Sequence, residues 1–328
     1  MKQKFAINPR LTSGLVSALA IVLHPGSASA AGVSAGTLIQ NAASATYTSG
    51  ASGGTVQSNT VTVKVDELLD VAVTGLTATP VPVGSGTAVL TYSVSNLGNG
   101  GEAFRITVDP AVAGNPFDTV LQTIAIDSNG NNSFDPGVDQ VLTNGAATPV
   151  IAADASLRLF VVVTLPTTAT DTLTSQVRLT ADAVTGTGTP GTAFGGQGDG
   201  GGDAVVGATG ASAFASGSVV ASLAAVSLVK SAAVLDPFGG NQPVPGATIT
   251  YALAATVSGT GQAEGLHVVD AIPAGTTYQA GTLKLNGAAL TDASDADAGT
   301  ASASGVNVAL GTVAGGDTRT VTFNVKID

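Results

Sequence analysis

The sequence predicts an all-β fold of antiparallel sandwich type, on three observations. Apolar residues alternate with a period of two, glycine- and proline-rich breakers punctuate those runs, and one block of motifs occurs twice. Leu90-Thr-Tyr-Ser-Val94 is apolar at every second position, as are Ile249, Tyr251, Leu253, Ala255 and Val257, and again Val321, Phe323, Val325 and Ile327. Such alternation sends one set of side chains into a core and the other into water, the pattern of half-buried antiparallel strands. Abundant Thr and Val favour the same conformation. Breakers stand between the runs at Gly84-Ser-Gly86, Asn96 to Gly101, Gly239-Gly-Asn241, Pro273 to Gly275 and Gly315-Gly316. Punctuated strands of this length argue a sandwich.

The first thirty residues are read as a processing signal. Lys2, Lys4 and Arg10 precede an apolar run from Leu15 to Leu23, Pro25-Gly26 breaks it, and Ala28-Ser-Ala30 is a small-x-small cleavage site. This is the three-part pattern of a secretory signal peptide, with cleavage expected before Ala31. A nine-residue helix reaches only about 14 Å, half of a bilayer core, so it is not a membrane span. No later stretch is long and apolar enough to span, so the mature chain is expected to have no membrane segment.

Residues 31–67 follow as a β-hairpin segment: 40–47 and 56–65 both carry strand-like alternation around a Gly-rich turn. Two strands alone are marginal in water, so this hairpin must pack on something. It either pairs with its own first domain and covers an edge, or adds to the sheet of a neighbouring molecule.

The repeated block then defines two related domains. Pro80-Val-Pro-Val-Gly84, Leu90-Thr-Tyr-Ser-Val-Ser95 and Phe104-Arg-Ile-Thr-Val-Asp109 have counterparts in Pro243-Val-Pro-Gly246, Ile249-Thr-Tyr-Ala-Leu-Ala254 and Leu266-His-Val-Val-Asp270. Asp154 to Leu165 also matches Asp317 to Ile327 loosely. The predicted boundaries are 68–185 for the first sandwich and 224–328 for the second. Residues 186–223, with six glycines between Gly195 and Gly202, read as a flexible loop or linker.

Composition narrows the function. The 328 residues hold no Cys and no Trp, 10% are charged, and 22 acidic side chains outnumber 11 basic ones for a net charge of −11. The absence of Cys removes disulfides, Cys-zinc sites and Cys nucleophiles. Net negative charge disfavours nucleic acid and anionic membranes as partners. No Ser-His-Asp neighbourhood and no supported carboxylate pair is suggested, so the chain is expected not to be an enzyme. Tyr92 and Tyr251 are read as core-strand residues with their hydroxyls at the rim.

The second domain carries a resemblance. Val244-Pro-Gly-Ala-Thr-Ile-Thr-Tyr251, then Val268-Val-Asp-Ala-Ile-Pro-Ala-Gly275, then Ala309-Leu-Gly-Thr-Val-Ala-Gly-Gly316 stand in order over about a hundred residues. They resemble the DUF11 repeat domain of bacterial and archaeal surface proteins. Ala252 to Ser258 departs from the usual "v-t-N-t-G", and His267 replaces a more common aliphatic or Thr. Gln40 to Tyr47 with Ser58 to Val65 resembles the closing hairpin of the same class, and residues 68–185 resemble it more weakly. The resemblance implies immunoglobulin-like antiparallel sandwiches in tandem in an exported or surface-displayed protein. It implies no catalytic residue.

One loop offers metal chemistry. Asp127, Asn129, Asn131, Ser133, Asp135 and Asp139 place oxygen side chains at alternate steps of Asp127-Ser-Asn-Gly-Asn-Asn-Ser-Phe-Asp-Pro-Gly-Val-Asp139. That spacing is similar to the calcium loop D-x-[DN]-x-[DN], in which a curled chain turns every second oxygen inward. Asn132 stands where that loop has Gly, and the last acid comes one residue late. The same residues also make an Asx-rich turn between two strands without any metal. Asp292, Asp295 and Asp297 read as a solvated acidic loop.

The function expected from these features is that of an exported, non-enzymatic structural or adhesive protein. Its place is the cell surface, the extracellular matrix or the periplasm, and its partners are other surface or matrix proteins, or itself. The alternatives are a calcium-dependent adhesion module and a filament subunit assembled by strand donation.

Overall fold

The computed structural model describes residues 32–328; the expected signal segment, 1–30, lies outside them. Among the described residues 54% lie in strands, and a single 3-10 turn at Asp199–Gly201 interrupts them. No helix among them is long and apolar enough to cross a membrane.

The chain opens with a two-tiered ribbon. β1 (Leu38–Asn41) pairs with β4 (Val61–Lys64), and β2 (Ser44–Ser49) pairs with β3 (Ser52–Gln57), all antiparallel about a turn at Gly50. The hairpin expected over 31–67 is therefore present. Of the two expected placements, cover of an edge of its own first domain is not seen: among the described residues its strands pair only with one another. Its base alone is tied down, by Gly36 N–H to Val65 O and by Ala35 N–H to Asn99 O.

The next twelve strands surround the larger of two hydrophobic clusters. They are β5 (Glu67–Leu69), β6 (Val71–Gly75), β7 (Val81–Val83), β8 (Thr87–Asn96), β9 (Phe104–Asp109), β10 (Val120–Ile126), β11 (Gln140–Leu142), β12 (Ser156–Thr164), β13 (Thr174–Ala183), β14 (Ala193–Phe194), β15 (Ala204–Val206) and β16 (Ser212–Ala221). A five-stranded sheet runs β11-β10-β12-β8-β6 and a four-stranded sheet β7-β16-β13-β9; β14-β15-β5 form a third. β8 shows why the sequence folds this way. Its even positions, Ala88, Leu90, Tyr92 and Val94, are all but fully buried, and they alternate with half-buried Val89, Thr91, Ser93 and Ser95. They join Ile106, Leu159, Val161, Val177 and Leu179 in one core.

Two expectations are corrected here. Residues 186–223 are not a linker: β16 pairs over nine positions with β13, and β15 pairs in parallel with β5, so the first unit runs on to Ala221. Composition misled because these glycines serve close approach and left-handed turns instead of freedom. A Cβ on Gly198 would lie 2.3 Å from the Asp203 carbonyl oxygen, and Gly196, Gly200 and Gly201 hold φ of 68°, 71° and 76°. The Tyr92 hydroxyl is likewise not at the rim. It lies inside the core, donating to Val177 O at 2.8 Å and accepting from Gly217 N–H at 3.0 Å.

The last nine strands surround the second cluster: β17 (Ala224–Leu235), β18 (Thr248–Gly259), β19 (Gln262–Ala271), β20 (Thr276–Tyr278), β21 (Lys284–Leu285), β22 (Ala288–Ala289), β23 (Gly299–Ser302), β24 (Gly305–Ala314) and β25 (Thr318–Ile327). One sheet runs β17-β18-β25-β21-β22 with β20 also on β25, and the other β19-β24-β23. Leu253, Val257, Val268, Val308, Val321 and Phe323 fill the core between them. The repeated motifs fall on matching strands. Thr91-Tyr92 lies on β8 between β6 and β12; Thr250-Tyr251 lies on β18 between β17 and β25. In each case the next strand, β9 or β19, belongs to the other sheet.

Candidate functional site

The loop from Asp127 to Asp139 joins β10 to β11, and its side chains are committed to backbone groups. Asp127 accepts Gly130 N–H at 2.8 Å and Asn132 N–H at 3.1 Å through its two oxygens. Its side chain is only 4% exposed, and the Arg158 guanidinium lies 3.8 Å away. Asp139, also buried, accepts Ser128 N–H and Asp135 N–H. Asn129 Oδ1 accepts Asn131 N–H, and Asn131 Oδ1 accepts Ser133 N–H. These are Asx turns in series, and Asn132 takes the left-handed conformation that they require, with φ 67°.

The structure therefore brings Asn129, Asn131 and Asp135 together, while Asp127 and Asp139 cap the two ends of the loop. Both carboxamides aim Nδ2 at Asp135 Oδ2, at 2.9 and 2.6 Å. Those two donors hold the half-buried Asp135 carboxyl below its ordinary pKa. Ser133 contributes its N–H to the turn. Coordination of a cation would need Asn129 and Asn131 to turn their oxygens inward, giving up the Asx bonds that shape the loop. Among the described residues no three His, Asp or Glu side chains are grouped to hold a metal ion.

The other acidic loop behaves in the same way. Asp292 accepts the Tyr278 hydroxyl at 2.7 Å and Gly281 N–H at 2.8 Å. Asp297 accepts Thr291 N–H and Gly299 N–H, which lower its pKa, and Asp295 accepts Thr291 Oγ1–H and Asp297 N–H. Burial and the neighbouring carboxylate push the Tyr278 hydroxyl up to about 12.

A buried acid near the ribbon base carries no supporting motif in the sequence. Glu67 is 3% exposed; Oε2 accepts Asp199 N–H at 2.7 Å, and Oε1 has no hydrogen-bond partner. Burial first, then the charges of Glu102 and Asp199, raise its pKa against the opposing backbone bond. Gly100 makes room for it, since a Cβ there would lie 2.6 Å from Glu67 Oε1. Glu102 is itself satisfied by the Thr185 N–H and hydroxyl. A cleft of about 560 Å³ beside Gly84–Gly86 and Thr260–Glu264 carries one ionisable side chain, Glu264, in its lining.

The most unusual surfaces are apolar. Ile39, Tyr47, Val56, Val61 and Val63 of the ribbon are each more than half exposed, and so are Leu228 and Val229 of β17. Alternation of the ribbon was legible in the sequence; that nothing among the described residues covers it was not. No protein-family model matches this chain, and no curated protein matches it.

Proposed function

We propose that the protein is an exported, non-enzymatic structural module acting at the cell surface, in the extracellular matrix or in the periplasm. It serves there as a spacer and adhesive unit built from two related immunoglobulin-like sandwiches of the DUF11 class. Its partners are other surface or matrix proteins, or copies of itself. The observation that carries this reading is the strand plan common to both cores, in which the Tyr92 and Tyr251 strands are flanked alike and the next strand crosses to the facing sheet. Repetition of one unit makes length and surface, which a spacer needs and a single reacting centre does not. The polar side chains of the acidic loops support the same reading, because they are spent on holding turns. Fractionation of cells expressing the full chain, with N-terminal sequencing, tests it. A processed chain beginning at Ala31 in the surface or high-mass fraction is expected; a chain that stays inside the cell and begins at Met1 overturns it.

A second reading adds calcium to the same role. It rests on the spacing of Asp127, Asn129, Asn131, Ser133, Asp135 and Asp139, and it requires the Asn129 and Asn131 carboxamides, whose nitrogens now face Asp135, to turn over. With few carboxylates the affinity expected is that of extracellular sites, about 10⁻⁴ to 10⁻³ M.

A further inference from the structure

We propose that the N-terminal ribbon is a donated pair of strands: residues 38–64 of one chain complete the second core of another copy, joining copies head to tail. The inference rests on the structural reading above and names its partner, a second copy of this chain.

The two cores differ in one respect. Around the first, β13 pairs along β9 from Phe104 to Asp109, and β16 pairs with β13 and packs over β6. The other side of β9 is met by residues 145–151, through the bridges Arg105 to Ala147 and Glu102 to Ile151. Around the second core, β24 runs along one side of β19, and among the described residues no strand occupies the other. Among the described residues, counterparts of β13 and β16 are not present.

Their absence leaves inward-facing side chains uncovered. Tyr92 pairs across to Gly75, and Val71, four residues before Gly75, is fully buried. Tyr251 pairs across to Ala232, and Leu228, four residues before Ala232, is 53% exposed. Leu228 sits opposite buried Ala255, and half-exposed Val226 sits opposite buried Val257, so both point to the core side of their sheet. They lack the strand that β16 supplies to Val71.

The ribbon has the features of the missing pair. In the lower tier Ile39 shares a face with Val61 and Val63, and in the upper tier Ala45 and Tyr47 share one with Val56, while Gln40 with Thr62 and Thr46 with Thr55 take the opposite faces. Each tier thus carries an apolar face that is uncovered among the described residues. Its connections match as well. The second arm leads through residues 65–70 into β6, as β16 leads through Ser222 and Leu223 into β17. The turn after β8 grips the first connection: Asn99 accepts Leu68 N–H and donates to Val33 O and Asp66 O. The turn after β18 grips the second: Gly261 N–H donates to Leu223 O, and Thr260 and Leu223 both donate to Asp171. The ribbon thus stands to the first core as β13 and β16 stand to the second. A donated ribbon repeats between molecules the joint that already links the two cores within one.

The ribbon's ten cross-strand pairs make a face about 33 Å by 10 Å. Counted on both partners that is about 660 Å² of flat area before side-chain relief, short of the roughly 1,200 Å² of stable specific interfaces, so side-chain apolar contact alone does not hold the copies together. Main-chain bonds to the free edge of β19 add to this, as in other strand additions. Such a contact is heterologous, so copies extend into filaments.

The chain has no cysteine, which gives a clean test. Chains carrying Val63→Cys and chains carrying Leu228→Cys are purified separately, mixed, and treated with a short thiol-reactive cross-linker. A cross-linked heterodimer is expected, and a ladder of multimers from chains carrying both substitutions. Val63→Cys mixed with Val141→Cys, on an exposed strand of the first unit, is expected to give none. Light scattering should show mass rising with concentration for the unsubstituted chain and not for Val61→Asp or Val63→Asp, whose melting is expected to stay unchanged because both sites are exposed. A chain that stays monomeric at high concentration overturns the proposal, as does a link formed only within one doubly substituted chain. Neither result touches the fractionation experiment on which the wider reading rests.

Discussion

Replacing Tyr92 by Phe removes one oxygen from the first core. The hydroxyl bridges Val177 O on β13 and Gly217 N–H on β16, and those two residues face each other across the ladder. The Tyr therefore reaches from one sheet and inserts its oxygen between two strands of the other. Phe fills the ring volume but leaves a buried carbonyl and a buried amide without their partner. A buried group left unsatisfied costs about 1–3 kcal/mol, so a loss of roughly 2–6 kcal/mol is expected for the pair. Gly217→Ala perturbs the same point from the opposite side, since its Cβ would lie 2.8 Å from Tyr92 Oη. Overpacking of this kind costs about 1–3 kcal/mol. In the double variant the added methyl occupies the space of the missing oxygen, so the two losses should fall short of additive by about 1 kcal/mol or more. Calorimetry suits the measurement, because the chain has no Trp.

The same bridge fixes a pH dependence. Burial pushes the Tyr92 hydroxyl up to about 12, against 10 for a free phenol. The folded state holds this proton more tightly than the unfolded state. Its contribution is complete below pH 10 and is lost as the pH rises towards 12, by about 3 kcal/mol. Tyr92→Phe should lack this alkaline sensitivity. A loss below 0.5 kcal/mol for Tyr92→Phe, or strict additivity with Gly217→Ala, would refute the bridge.

Three further outcomes are expected. Glu67 has its pKa raised above 4.5 by burial, so stability should fall as the pH rises through that raised value; Glu67→Gln should flatten the slope in a pH series of melting temperatures. Asp171, whose pKa is lowered by Thr260 and Leu223 donors, should hold the joint between the cores above pH 3.8 and release it as the pH falls through the lowered value, seen as faster amide exchange at Leu223 and Thr260. Asp127→Ala should lower the melting temperature with or without Ca²⁺ by removing two turn bonds, each worth about 1 kcal/mol. If the calcium reading holds, millimolar Ca²⁺ raises the melting temperature of the unsubstituted chain and not of Asp135→Ala; no change leaves the loop a turn.

The strands were legible because period-two alternation is a local signal, and β8, β18 and β25 carry it over ten residues or more. β16 was not, because seven of the ten residues of Ser212–Ala221 are Ser, Ala or Gly and the strand follows a glycine-rich stretch. Small residues there answer a need set elsewhere: Gly217 is bare because Tyr92, 125 residues away in sequence, puts its hydroxyl against it. The acidic loop shows the converse. Its spacing was legible, yet spacing alone does not say whether an Asn presents oxygen or nitrogen inward, and Asp135 draws the nitrogens. The ribbon combines both cases. Its alternation says that an apolar face is to be buried, but the surface proposed to bury it, the second core, is not written in that alternation. The inward-facing position sealed on β6 at Val71 is half-bare on β17 at Leu228. A sequence encodes a demand for burial residue by residue; what meets it is a property of the assembled sheets.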